Sequence, residues 1–501
     1  MKLQKIFITL ILTLVFFLPF FSLSAFSADM TGFNDWGNNT EKTTGGIVIG
    51  STTIDGENFQ RIGFRLDFPI GKLGIGLDIN FLIDEEGNLR EEDWDETEDY
   101  LNIIYYIRWD RKGAPLYAKA GGLDSSYIGY SNIVNGYSNM IEYPEYKRFG
   151  MEMEINTDNF KAELLLNDFK ELSSEEPSML IASRFAYKVA GKLEVGFTAA
   201  SDLNEYNGFR DSDDDGYPDA IDLCPYDKKY VTGFDKEAAE YAEKGYDPED
   251  YAAVTAESDL ILASYSKFNF KNQTSDLTIL GADIGYPIIQ GNFIKMDIYS
   301  AYSDIIDYGW GVTLPGLRTR ISEYFTFTAE YRMQSKEFLF GYFNSTYELE
   351  RAKFIQDDEG NSVAVTKQDS LKEVTDSMDG FLVGAAFNLK NFVGLDVVYS
   401  RMESDDDDLK TKSINGELIV NNGALTFLPK AKGYYIQNNV EDFKEWKTPS
   451  TVTGVVIQYT VGATTLSFDH QYTFVDVNGD GEIKGDDETI KTLNVSAAVT
   501  F

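Results

Sequence analysis

The sequence predicts an all-β chain, a single antiparallel β-barrel that closes on itself and spans a membrane with about 22 strands (range roughly 18–22), long loops at one end and short turns at the other. Three observations predict it. Apolar and polar residues alternate strictly over many short segments. Beyond the first residues, no stretch approaches the ~20 consecutive apolar residues of a spanning helix. Candidate connections fall alternately into short and long classes.

The alternation is clearest in the last strand, where Leu493, Val495, Ala497, Val499 and Phe501 share one face and Thr492, Asn494, Ser496 and Thr500 the other. A strand between lipid and a polar lumen must alternate in this way. A final strand ending on Phe501 resembles the closing strand of a bacterial outer-membrane barrel. The same period sets Ile62, Phe64, Leu66 and Phe68 against Arg61, Arg65 and Asp67, and Ile75, Leu77 and Ile79 against Asp78. It sets Ile294, Met296 and Ile298 against Lys295 and Asp297, and Phe327, Ala329 and Tyr331 against Glu330 and Arg332. Arg61, Arg65, Asp67, Asp78, Lys295, Asp297, Glu330, Arg332 and Asp396 are therefore the expected lumen-lining charges. Alternation alone also suits a soluble sandwich with one wet face.

Loop lengths separate the two. Short connections are expected at 69–72, 111–114, 157–159, 190–192, 272–275, 334–337, 389–391 and 461–463. Long ones are expected at 84–99, 122–146, 203–258, 349–378 and 438–447. A single-chain outer-membrane barrel segregates its loops like this, and a sandwich has no reason to. The 31 Tyr and 35 Phe suit aromatic girdles at the lipid headgroups. Pro287 and Pro315 make 276–320 the stretch where a hairpin is hardest to place.

Residues 1–27 read as an export signal: Lys2 and Lys5, an apolar core from Ile6 to Phe21, then Ala25-Phe26-Ser27 as a small-residue cleavage pattern. The mature chain is expected to start at Ala28, with 28–43 a short periplasmic segment and 44–501 the barrel in the outer membrane. That segment is too short for the plug domain of an energy-coupled transporter. With 82 acidic against 44 basic residues and a net charge of −38, nucleic acid is excluded as a partner and divalent cations are favoured. The only cysteine, Cys224, can make no internal disulfide, so closure of the sheet must hold the fold.

Two acidic loops carry metal chemistry. Asp211-Ser-Asp213-Asp-Asp215-Gly216-Tyr217-Pro-Asp219-Ala-Ile-Asp222-Leu-Cys224 resembles one thrombospondin type 3 calcium repeat. The resemblance implies Ca²⁺ held by Asp211, Asp213, Asp215, Asp219 and Asp222 with the Tyr217 carbonyl, Gly216 making the sharp turn that lets the oxygens converge. That family usually repeats the unit and pairs its cysteines; here there is one copy and one Cys. Asp476-Val-Asn478-Gly-Asp480-Gly481-Glu482, running on to Asp487, is similar to an EF-hand-type or dockerin-type loop, with Asp476, Asn478, Asp480, the Glu482 carbonyl and Asp487 as implied ligands. Lys484 occupies its ninth position, and its Asn-Gly and Asp-Gly pairs also suit a plain β-turn. Both loops, the first inside a 203–258 surface subdomain and the second at 476–488, are expected outside the cell with Ca²⁺ in a structural role. A helix in that subdomain is expected to be capped by Asp235 and stopped at Gly245.

Acidic runs at 84–86, 91–99 and 403–408 are expected on the same side, where they would favour cations around a pore mouth or simply be solvated. The Gly- and Tyr-rich stretch 122–146 is compatible with a loop folded into the lumen and equally with a packed external one. Enzymatic activity is not expected: His470 is the only histidine and shares the lipid-facing side with Leu466, Phe468 and Tyr472. The expected activity is passive diffusion of small hydrophilic solutes through a porin-like channel. The alternative is a surface structural or adhesive protein for which the barrel is an anchor.

Overall fold

The computed structural model describes residues 43–500 apart from 55–56, 85, 91–93, 95–99, 101–102, 144–145, 174–177, 210, 212–216, 219–220, 222–223, 225–228, 248, 250–251, 266–273, 357–361, 390–391, 406–408, 421–429, 463, 475, 477–482 and 485–487. The expected signal peptide therefore lies outside the described residues.

In chain order the strands are β1 (Thr44–Ile54), β2 (Glu57–Ile70), β3 (Leu73–Ile83), β4 (Ile104–Trp109), β5 (Leu116–Gly121), β6 (Ser126–Tyr127), β7 (Val134–Tyr137), β8 (Gly150–Asn156) and β9 (Phe160–Leu166). They continue as β10 (Leu180–Val189), β11 (Leu193–Asp202), β12 (Leu277–Gln290), β13 (Ile294–Ile305), β14 (Trp310–Ile321), β15 (Phe325–Gln334), β16 (Phe343–Asn344), β17 (Ala352–Gln356) and β18 (Ser362–Thr366). The last are β19 (Met378–Leu389), β20 (Val393–Ser404), β21 (Lys410–Val420), β22 (Lys430–Val440), β23 (Thr451–Val461), β24 (Thr464–Phe474) and β25 (Thr489–Thr500).

Twenty of these strands form one sheet, and β6, β7, β16, β17 and β18 stand apart from it. The count is two below the 22 read from sequence and inside the expected range. Every neighbouring pair is antiparallel, and β1 pairs with β25 as well as with β2, Thr44 opposite Thr500 and Ser51 opposite Leu493. That last pairing closes the barrel. Closure leaves no sheet edge, so the backbone polar groups are satisfied without water, as a bilayer demands.

Side chains obey the expected alternation. Ile49 is 62% exposed and Phe197 64%, whereas Val48, Ala182, Arg184 and Ala200 on the opposite parity are buried. The exposed residues are large and apolar along strand after strand, which is stable only against lipid. His470 lies on this outer parity, opposite Val455 and Leu493 and beside the rings of Phe468 and Tyr472.

Short connections (71–72, 110–115, 157–159, 190–192, 291–293, 322–324, 390–392, 421–429, 462–463) share one end. The other end carries the long ones, 84–103, 122–149, 167–179, 203–276, 335–377, 441–450 and 475–488, together with three short ones, 55–56, 306–309 and 405–409. Two expected turns are corrected. Residues 272–275 are the tail of the 203–276 connection, and 334–337 begin the 335–377 connection. The misplacement came from the prolines: Pro287 and Pro315 sit inside β12 and β14, where the register shifts, so each marks a bulge and neither breaks its strand.

The helix expected after 203 spans Gly233–Glu243, and its N-cap is Thr232. Asp235 is the third helical residue and completes a capping box by accepting from the Thr232 N–H. Gly245 follows the helix with φ 77°, a left-handed conformation that costs glycine little. A second helix, Ala252–Tyr265, approaches the first through Thr232 Oγ1 and Ser258 Oγ, 3.3 Å apart.

Candidate functional site

The lumen is divided by two connections that fold inward. Segment 122–149, after β5, carries β6 and β7, which pair with each other. Segment 335–377 carries β16, which pairs in parallel with β7 through Phe343 opposite Val134 and Asn344 opposite Asn135. The lumen-folded option for 122–146 is the one the chain adopts.

Both segments enter because they are apolar enough to build a core there. Leu123, Ile133, Val134, Tyr137, Phe338, Tyr342, Phe343 and Tyr347 pack with inward residues of the wall, Leu165, Leu180, Ala182, Ala200, Leu277, Ile279, Ile305, Met378 and Met402. Burying each aromatic contributes about 1.5–3 kcal/mol. The wall makes room with glycine: a Cβ at Gly311 would collide with the Phe338 ring, and one at Gly281 would lie 2.9 Å from Ile133 Cδ1.

Polar clasps tie the segments to the wall. Arg351 holds Glu171 through both carboxylate oxygens (2.9 and 3.0 Å), pairs with Asp202 at 2.8 Å and donates to the Ser178 carbonyl at 2.6 Å. Arg148 pairs with Glu142 and lies 3.4 Å from Glu348, which accepts from the Tyr137 hydroxyl. Tyr342 donates to Glu205 at 2.6 Å and Tyr347 to Asp202 at 2.8 Å. Burial pushes the Glu205 carboxyl up to about 7, with Asp202 beside it adding in the same direction. Burial likewise pushes Glu171 up to about 7 against the opposing pull of Arg351, and pulls Lys147 down to about 8.

The nine lumen charges expected from sequence all fall on the inward parity, in separate places. Arg61, Arg65 and Asp78 meet beneath Tyr143: Arg65 lies 3.2 Å and Arg61 3.6 Å from Asp78, Arg65 Nη2 donates to the Tyr143 hydroxyl at 2.9 Å, and that hydroxyl donates to Asp78. Asp67 accepts from Tyr106 at 2.5 Å. Glu330 and Arg332 pair at 2.6 Å, and Glu330 also accepts from Tyr299. Lys295 and Asp297 lie near the short-turn end, where Asp297 accepts from Gln290 at 3.0 Å. Asp396 stands exposed on β20, opposite Glu417.

The Arg148–Arg351 clasp was not anticipated from sequence. The available signal was glycine at inward positions on β12 and β14, Gly281, Gly285 and Gly311, which leaves room for Ile133, Tyr130 and Phe338 of the inserted segments.

The segments leave part of the lumen open. On β8–β15 the inward side chains lie beneath them, with Leu180, Ala182, Ala200, Ile279 and Arg184 at 2% exposure or less. On β20–β22 the inward Val398, Ser400, Ser413, Asn415, Glu417 and Tyr434 are all partly exposed.

The expected calcium ligands fall mostly outside the described residues. Asp211 and Tyr217 are described, whereas Asp213, Asp215, Asp219 and Asp222 are not. In the second loop Asp476 is described, and Asn478, Asp480, Glu482 and Asp487 are not. Both loops belong to connections at the long-loop end, β11 to β12 and β24 to β25.

No protein-family model matches the chain, and no curated protein does. Among solved structures, it is similar to a mutant of the ferric enterobactin receptor PfeA from Pseudomonas aeruginosa (9% identity, TM-score 0.34, covering 92% of this chain and 80% of that one). OccAB4 of Acinetobacter baumannii (8%, 0.32, 92% and 97%) and a variant of OccD1, or OprD (9%, 0.30, 92% and 95%), are also similar. By its own closed sheet and apolar outer band, the chain has the fold of a membrane-spanning antiparallel β-barrel.

Proposed function

We propose that this protein is an outer-membrane channel in which small hydrophilic solutes diffuse passively along the open side of the lumen. The observation that carries this reading is the partly exposed, polar inner wall of β20–β22 facing the packed wall of β8–β15. A barrel of twenty strands is too wide for its own side chains to fill, so the space beside the inserted segments is water-filled. The acidic connections at the long-loop end raise the local cation concentration and give the channel a cation preference. Ca²⁺ bound at the two acidic loops pins long connections that have little core of their own. Metal would be held by Asp211, Asp213, Asp215, Tyr217, Asp219 and Asp222, and by Asp476, Asn478, Asp480, Glu482 and Asp487. No catalytic group is assigned.

The runner-up is a surface structural or adhesive protein, favoured by the packed half of the lumen and by the helical pair in the 203–276 connection. Single-channel recording of the refolded mature chain in planar bilayers, with and without Ca²⁺, separates them. Steady, cation-preferring steps are expected, altered when Ca²⁺ is removed. A barrel closed under every condition would discard the channel reading.

A further inference from the structure

On the open side, the inserted segment around Phe340 and the inner wall of β19–β22 enclose a cleft whose chemistry differs from the rest of the lumen. Among the described residues its only charged lining residue is Arg332, and Glu330 neutralises that charge at 2.6 Å. The other polar lining groups are amides and hydroxyls, Ser400, Ser413, Asn415 and Asn439 among them, with Phe340 adding an apolar surface. Two of these amides are incompletely used. Asn415 Oδ1 and Asn439 Nδ2 are buried and have no hydrogen-bond partner among the described residues.

A buried acceptor and a buried donor without partners are unfavourable on their own, and native structures rarely tolerate them without a reason. A hydroxyl serves both, since it donates through its hydrogen and accepts through its lone pairs. The cleft's cavity volume is about 30 Å³, room for a hydroxyl-sized group, and it opens on a wider space between the walls, solvent included, of about 550 Å³. An ion entering it would surrender hydration to neutral dipoles and meet no opposite charge, which is unfavourable.

We propose that this cleft binds uncharged, polyhydroxylated solutes of polyol or small-sugar size, one hydroxyl seated between Asn415 and Asn439 and the carbon skeleton against Phe340. The proposal rests on the channel reading, since the cleft would be where a diffusing solute pauses. It also divides the work of selection: the acidic mouth concentrates small cations, and the cleft favours neutral molecules.

The test uses liposomes carrying the full-length mature protein and three solutes of similar size, mannitol, protonated glucosamine and gluconate. Mannitol is expected to enter several-fold faster than either ion. Asn415→Leu should slow mannitol about fivefold, the order of one net hydrogen bond. Asn415→Asp keeps the shape and should turn the preference toward glucosamine. Glucosamine outrunning mannitol in the unmodified protein, or mannitol entry unaffected by Asn415→Leu, would overturn the proposal. Saturation-transfer NMR of mannitol with the protein in detergent separates this failure from that of the channel reading. Mannitol binding that Asn415→Leu abolishes, in a barrel that conducts nothing, keeps the site and discards the channel. Conductance without mannitol binding does the reverse.

Discussion

The two halves of the lumen are built from strands of the same kind and differ in what faces them. Along β8–β15 the inner wall meets a second layer made by 122–149 and 335–377, and its charges are consumed in clasps such as Arg351 with Glu171 and Asp202. Along β20–β22 the wall touches the inserted segments at Met402 and Asn438, and beyond them it meets open space, where Val398, Asn415, Glu417 and Tyr434 remain partly exposed. Inward glycines show the same contrast: Gly311 receives the Phe338 ring, whereas a Cβ at Gly384 would make only ordinary contacts with Val398 and Thr328. A wide barrel therefore need not be uniformly filled or uniformly empty, and the position of apolar connections decides which side is filled.

The comparison breaks most completely at the clasp. Arg351→Ala leaves Glu171 and Asp202 buried without their cation, a loss of about 3–5 kcal/mol in the packed half. Protease sensitivity of 335–377 and single-channel conductance should both rise; unchanged values for both would show that the apolar core alone holds the segments.

Next in size is a pH effect confined to the packed half. The Glu205 carboxyl is raised from 4.5 to about 7 in the folded protein, so the folded state binds this proton more tightly than the unfolded state. Stability from this group is complete below about pH 4.5 and is lost as pH rises through about 7, with a slope of at most about 1.4 kcal/mol per pH unit. The protection factors of amides around Tyr342 and Tyr347, exchange rates corrected for intrinsic base catalysis, should fall between pH 5 and pH 8, and Glu205→Gln should flatten that change. An equal change on β20–β22 would remove the distinction.

A matched pair of glycine substitutions sharpens the contrast further. Gly311→Ala must displace the Phe338 ring and should cost about 1–3 kcal/mol, whereas Gly384→Ala should stay within about 0.5 kcal/mol. Urea titration of the folded barrels compares them, and equal costs would argue against the second layer.

The smallest energetic effect belongs to the open side. Asp396→Asn should leave stability within about 0.5 kcal/mol, because the residue is exposed. Under the channel reading it should still lower the cation-to-anion permeability ratio measured by reversal potential, and an unchanged ratio would place the conducting path elsewhere.

Much of this architecture was legible without coordinates, since a lipid-facing strand writes a two-residue period into its sequence at every position. The inward parity of Arg61, Arg65, Asp78, Glu330 and Arg332 follows from that period directly. The prolines misled because proline removes one donor but leaves open whether the chain bulges or breaks, and at Pro287 and Pro315 the neighbouring strands decided for a bulge. The helix cap at Thr232 was missed by three residues, because Thr232 and Asp235 both belong to one capping box and either is an acceptable first residue by type.

The sequence by itself determined the class of the molecule: an alternating, closed, lipid-facing barrel, its short and long ends, and which charges turn inward. Only the tertiary structure decided which of those charges meet one another and which half of the lumen is filled. The physical reason is range. Alternation is a local property of each strand, whereas the pairing of Phe343 with Val134 and of Arg351 with Glu171 joins segments about 200 residues apart, through apolar burial and charge compensation that exist only once the barrel has closed around them.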